Sequence, residues 1–234
     1  MNAIRNNIPN AITSLNLLFG CMACIVALSG GCLVAPYIGA FWLIALSAVA
    51  DFLDGLVARW LHAVSAIGKE LDSLADLVTF GLAPAMLCLT TLCGFHYSSD
   101  TLFSIYPYIG LVLVVFAALR LAKFNTDERQ TTSFLGLAVP ANALFWCGLF
   151  QMDLSAIPGA PWIIGALVIL FAGLMVSEIP MFSLKFKSLK WAQNKVRFIF
   201  LAVSVVILIL LREKGLSAVI GWYIILSILT KGQH

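Results

Sequence analysis

Four aspartates stand in two pairs along one short stretch of the chain. Asp51 and Asp54 are followed by Gly55, Ala58 and Arg59, and eight residues later come Gly68, Asp72 and Asp76. At 100° per residue, positions 51, 54, 55, 58 and 59 of a helix share one face, and so do 72 and 76. The flanking segments are apolar enough to be membrane-embedded, and an ionised carboxylate at the centre of such a helix costs at least about 2.5 kcal/mol. Two such helices packed antiparallel would bring Asp51, Asp54, Asp72 and Asp76 to one small volume. Like charges that close stay ionised together only if cations neutralise them. Oxygen-only ligands favour hard Mg²⁺ or Mn²⁺ over zinc. The chemistry this suits is displacement at phosphorus, in which metal neutralises a diphosphate and one carboxylate accepts a proton from an attacking hydroxyl. Gly55 and Ala58 lie on the same face as the first pair. Small residues at that spacing also mark plain helix–helix contact, but beside carboxylates they read as a recess for a ligand.

The elements that must carry these residues are membrane helices. The 234 residues are 62% hydrophobic and 11% charged, whereas about a quarter of a soluble domain is charged. A helical crossing needs about 20 apolar residues, and eight apolar runs occur, at 12–29, 34–60, 72–94, 103–124, 136–152, 160–179, 196–212 and 216–231. The expected fold is an all-α polytopic helix bundle of about eight transmembrane helices, forming one domain over residues 1–234. Arg5, Arg59, Lys69, Lys123, Arg129, Lys185, Lys187, Lys190, Lys195, Arg197 and Lys231 fall at run ends on one side. By the positive-inside rule that side is cytosolic, and both termini lie there. The loops around 30–36, 95–102 and 153–159 carry no Lys or Arg; only Arg212 and Lys214 dissent.

The scattered basic residues give no nucleic-acid signal, and the Lys185–Arg197 cluster is suited to anionic lipid head groups. Cys21, Cys24, Cys32, Cys88, Cys93 and Cys147 sit in or at the ends of apolar runs and read as packing residues. His62, His96 and His234 read as solvated. Asn10, Thr13 and Asn16 interrupt the first run, which is therefore taken as a retained span, not a cleaved leader. Asn10 and Thr13, just after Pro9, fit a helix start.

Asp51-x2-Asp54-Gly55-x2-Ala58-Arg59-x8-Gly68-x3-Asp72-x3-Asp76 resembles the complete signature of the CDP-alcohol phosphatidyltransferases. Two further strings resemble the bacterial-type phosphatidylserine synthase branch: Asp72 to Ala85 (DSLADLVTFGLAPA) and Ala118 to Asn125 (ALRLAKFN). In the second, Lys123 replaces the more usual arginine. A third, Gly136 to Ala141, has Ala138 where the branch more often has proline. The resemblance implies transfer of a phosphatidyl group from CDP-diacylglycerol to L-serine, giving phosphatidylserine and CMP, at the cytosolic face of a membrane such as the bacterial cell membrane.

It further implies two divalent ions, Mg²⁺ or Mn²⁺, on Asp51, Asp54, Asp72 and Asp76, with Asp76 as general base. Asn10, Thr13, Asp54, Gly55, Ala58, Arg59 and Gly68 would bind CDP-diacylglycerol, and Arg120, Lys123 and Asn125 would bind serine. A homodimer is implied as well, with the helices beyond about 160 mainly structural. Glycerol 3-phosphate or inositol phosphate are the rival acceptors within the family. Intramembrane carboxylates also build cation transporters, whose inverted repeats are not visible here, and an inactive scaffold would keep the fold alone.

Overall fold

The computed structural model describes residues 2–29, 36–63, 65–95, 105–127, 134–182 and 191–230. The side chain of Arg5 and the residues Cys32, His96, Arg129, Lys185, Lys187, Lys190, Lys231 and His234 lie outside what it describes. Apolar sequence between polar or Pro/Gly breaks becomes helix, since a backbone in hydrocarbon must satisfy its own hydrogen bonds. Among the described residues the helical elements are α1 (Asn2–Leu28), α2 (Pro36–Trp60), α3 (Ala66–Cys93), α4 (Tyr106–Thr126, opening with a 3₁₀ turn), α5 (Val139–Leu149), α6 (Ala160–Val176), α7 (Trp191–Leu211) and α8 (Gly215–Leu229). Among the described residues, five segments are long and apolar enough to cross a membrane: Asn7–Leu28, α2, α3, α4 and Asn194–Leu229. The last of these runs through both α7 and α8, while α5 and α6 are shorter apolar helices. The short fifth apolar run is thus an 11-residue helix. Large apolar side chains face outward, among them Trp42, Phe52, Ile209 and Leu210, as expected where the surroundings are lipid.

α1 lies along both α2 and α3; α4 packs on the middle of α3 and on α6; α5 packs on α8, and α7 on α8. The core between α3, α5 and α6 is aromatic. Trp146 is fully buried, its Nε1 donates to Asn142 Oδ1 at 3.0 Å, and Phe145 stacks on Phe171 with ring centroids 3.9 Å apart.

Two local features set the geometry near the acidic stretch. Leu77–Leu82 forms a π-helical turn within α3, and the Ala83 N–H reaches back to the Val78 carbonyl. Pro84 has no N–H, and its ring crowds the carbonyl four residues earlier; the wider turn accommodates it. At Gly81 a Cβ would sit 3.1 Å from the Ala117 Cβ of α4, so the glycine serves close helix packing.

The second feature is a strap ahead of α5. Phe134–Leu135 pairs antiparallel with Pro180–Met181, Gly136 N–H donates to the Ile179 carbonyl at 2.9 Å, and Leu137 N–H to the Leu174 carbonyl at 3.0 Å. Gly136 has φ +72°, and a Cβ on it would lie 2.6 Å from the Met175 carbonyl oxygen; only glycine fits. Ala138 follows as the N-cap of α5 with φ −66° and ψ 141°, a conformation a proline also takes. The departure from the branch pattern therefore leaves the backbone path intact. Ala138→Pro should raise the apparent melting temperature in detergent by about 1–4 °C, by restricting the unfolded chain, and leave turnover within about twofold. A fall in melting temperature would show that this path is not compatible with proline.

Candidate active site

α2 ends by placing Asp51 and Asp54 nearly three turns and about two turns before the reversal that leads into α3. The reversal is made at Leu61–Ala63, with His62 exposed in the left-handed region at φ 49°, and the Ala63 N–H closes on the Ala58 carbonyl at 2.9 Å. Ser65 then caps α3, its Oγ accepting the Gly68 N–H at 3.0 Å. Gly68 is consequently not the turn itself. A Cβ on it would sit 3.0 Å from Asn10 Oδ1 and from Ser65 Oγ, so it allows α1 to approach α3. The acidic faces of α2 and α3 are held opposite each other chiefly by α1, which packs against both.

Asp51, Asp72 and Asp76 each offer a carboxylate oxygen, and the three atoms lie within 4.8 Å of one another. Asp54 stands outside this group. It is 5% exposed, and its Oδ2 accepts a hydrogen bond from Thr13 Oγ1 at 2.5 Å. One buried oxygen, Asp72 Oδ1, has no hydrogen-bond partner. Ionised carboxylates have no proton to offer each other, so three of them around an unsatisfied buried oxygen fit a divalent cation. An all-oxygen donor set fits Mg²⁺ or Mn²⁺.

Beside this group lies a cavity of about 220 Å³. Asn10, Thr13, Asp54, Gly55, Ala58, Arg59 and Gly68, the whole set predicted for the nucleotide lipid, line it together with Asp72, Lys69 and others. Asp72 belongs to both the cavity and the carboxylate group, so the two are continuous. A Cβ on Gly55 would meet nothing nearer than a terminal nitrogen of Arg59 at 4.0 Å. The guanidinium, whose Nε donates to the Gly55 carbonyl at 2.8 Å, therefore stands over an open backbone. That is a place for phosphate oxygens, which arginine's donor fork suits.

The three residues predicted for serine have different partners. Arg120 is 6% exposed, its guanidinium carbon lies 4.8 Å from the Phe124 ring centroid, and it interacts electrostatically with Asp76 and Tyr223. Asn125 Nδ2 donates to Ser73 Oγ at 2.8 Å, and its carbonyl accepts from Lys69 Nζ at 3.3 Å; this ties the end of α4 to α3 next to Asp72. Lys123 is directed elsewhere, with Nζ 3.5 Å from Glu178 Oε1 and 3.4 Å from the Val176 carbonyl. Glu178 is its ion-pair partner.

Two residues at the site were not singled out by the sequence reading. Asn16 is fully buried, with Nδ2 3.4 Å from Asp76 Oδ1. Its signal was present: Asn10, Thr13 and Asn16 recur at three-residue spacing in an apolar helix, which puts them on one face. Tyr223, on α8, reaches the surroundings of Arg120 and donates its hydroxyl to the Phe182 carbonyl at 3.0 Å. No local pattern marks it, because it is brought there by packing alone.

The sequence profile of the CDP-alcohol phosphatidyltransferases matches residues 6–230. The chain is similar to the CDP-diacylglycerol–serine O-phosphatidyltransferase of Helicobacter pylori, at 30% identity over 226 residues, covering 94% of this chain and 89% of the relative. It is also similar to the protein of the same name from Methanocaldococcus jannaschii, at 34% identity over 172 residues, 74% of this chain and 72% of that one. The four aspartates, the cavity between α1, α2 and α3, and a profile match over nearly the whole length agree: this chain belongs to the CDP-alcohol phosphatidyltransferase family.

Proposed function

We propose that the chain is an integral membrane enzyme that transfers the phosphatidyl group of CDP-diacylglycerol to the hydroxyl of L-serine, releasing CMP. The observation that carries this reading is the continuity of the Asp51, Asp72 and Asp76 group with the cavity lined by Asn10, Asp54, Gly55 and Arg59, backed by relatives that bear the serine transferase name.

In this reading the cavity takes the nucleotide end of the lipid. Gly55 and Ala58 leave room for cytidine, and Arg59 pairs with phosphate oxygens. Arg120 supplies the cation for the serine carboxylate, and Asn125 an acceptor or donor near the α3 edge. Asp76 takes the proton from the serine hydroxyl. The serine oxygen then forms its bond to the lipid-linked phosphorus as the bond from that phosphorus to the CMP oxygen breaks, and CMP leaves with the electron pair. Two divalent ions, Mg²⁺ or Mn²⁺, on Asp51, Asp54, Asp72 and Asp76 would neutralise the diphosphate.

Arg59 and Lys69 line the cavity, and Lys69 reaches the Asn125 backbone carbonyl two residues after Lys123, which supports a cytosolic face by the positive-inside rule. About eight crossings with both termini cytosolic, a bacterial cell membrane and a homodimer complete the reading.

The deciding experiment is CMP release from CDP-diacylglycerol by the detergent-solubilised protein, with L-serine, glycerol 3-phosphate or inositol phosphate offered separately, in Mg²⁺, Mn²⁺ or EDTA. Release that needs both serine and metal is expected. Release with another acceptor would overturn the serine assignment, and release in EDTA would overturn the metal assignment.

Two variants test the roles. Asp76→Asn should lower turnover by about 10²–10⁴-fold, the range for loss of a general base, in protein that still elutes as a folded species. Arg120→Ala should raise the KM for serine by about 10–100-fold, the worth of a charge-assisted hydrogen bond, with little change in the KM for CDP-diacylglycerol. An equal rise in both constants would make Arg120 a packing residue.

A further inference from the structure

We infer that Asn16 is the positioning residue of Asp76, and that Thr79 fixes the orientation in which Asn16 acts. The inference rests on the reading of Asp76 as the proton-accepting carboxylate. Asn16 lies on the face of α1 turned to α3, while Asp72, Asp76 and Thr79 fall at i, i+4 and i+7 along α3, one stripe facing back. The asparagine is fully buried. Its Nδ2 lies 3.4 Å from Asp76 Oδ1, and its Oδ1 lies 2.9 Å from Thr79 Oγ1.

The direction of each bond follows from chemistry. An ionised carboxylate only accepts, so the NH₂ of Asn16 must face Asp76. The amide oxygen then faces Thr79, whose hydroxyl must donate. Reversing the amide would set oxygen against oxygen at Asp76.

The backbone of Asn16 is held as well. Its carbonyl accepts from Ser47 Oγ of α2 at 3.2 Å and lies 3.2 Å from Thr79 Oγ1. Both Ser47 and Thr79 are fully buried. The approach this needs is permitted by Gly20, one turn along α1, where a Cβ would lie only 3.0 Å from the Thr79 Cα. The π-turn that begins at Leu77 contains Thr79, and such turns are frequent at functional sites.

Polar residues between membrane helices also serve packing alone. What sets Asn16 apart is that its only side-chain donor group is aimed at a carboxylate already crowded by Asp51 and Asp72. At 3.4 Å the contact is at the long end for a hydrogen bond, suited to holding a rotamer. One Asp76 oxygen is thereby fixed toward α1, and the other is left for the reaction.

Steady-state kinetics of purified Asn16→Ala, Thr79→Val and Thr79→Ser, with Mn²⁺ binding followed by electron paramagnetic resonance and folding by thermal unfolding, test this. Asn16→Ala should lower kcat by about 10–100-fold, the cost of a misplaced reacting group, with both KM values and the Mn²⁺ affinity within about twofold of the unaltered protein. Thr79→Val should lower kcat in the same way by a smaller factor, and Thr79→Ser, which keeps the hydroxyl, should restore it. If Asn16→Ala does not fold, the Thr79→Val and Thr79→Ser pair decides. Full activity in Asn16→Ala, equal losses in the two Thr79 variants, or a loss carried by KM or by Mn²⁺ affinity would each overturn the inference. Asp76→Asn, assayed alongside, separates the two levels: an active Asp76→Asn removes the base assignment itself, whereas an inactive Asp76→Asn beside a fully active Asn16→Ala removes only the role given to Asn16.

Discussion

Three carboxylates within 4.8 Å of each other at the end of an apolar bundle are the constraint around which the rest is arranged. Their mutual repulsion is strongest where the dielectric is low, and nothing in helix packing alone would bring them together. The residues around them answer that cost in different ways. Asp54 is drawn off to Thr13, Asp76 receives an amide from Asn16, and Asp72 keeps a buried oxygen without a partner. The last fits a site that could hold a cation.

α1 emerges as the spine of this arrangement. One of its faces supplies Asn10 and Thr13 to the cavity and Asn16 to Asp76, and the helix contacts both α2 and α3. The first helix of a membrane protein is easily read as an anchor. Here its polar residues connect the cavity to the carboxylate group, and Gly20 lets it come close enough to α3 for those contacts to form.

The surroundings of Arg120 are assembled differently, from elements far apart in the chain. Arg120 comes from α4, Ser73 and Asp76 from α3, and Tyr223 from α8. A buried arginine without an acidic partner in direct contact would be costly; stacking on Phe124 and the nearby charge of Asp76 offset part of that cost. Lys123, one turn away, leaves this environment because Glu178 and the Val176 carbonyl at the end of α6 engage it instead.

Spacing in the chain was enough to determine the acidic faces, the small recess at Gly55 and Ala58, the helical class and the ends of most apolar runs, because each depends on the 3.6-residue period and on the cost of polar groups in hydrocarbon. Only the tertiary structure decided what crosses between helices. It set Asp54 apart from the other three aspartates, placed a π-turn just before Pro84, gave Lys123 to Glu178, and brought Asn16 and Tyr223 to the site. These depend on the rotation and separation of whole helices, which α1 and the glycines at its contacts fix. A periodic pattern names the face a residue occupies but not the residue it will meet.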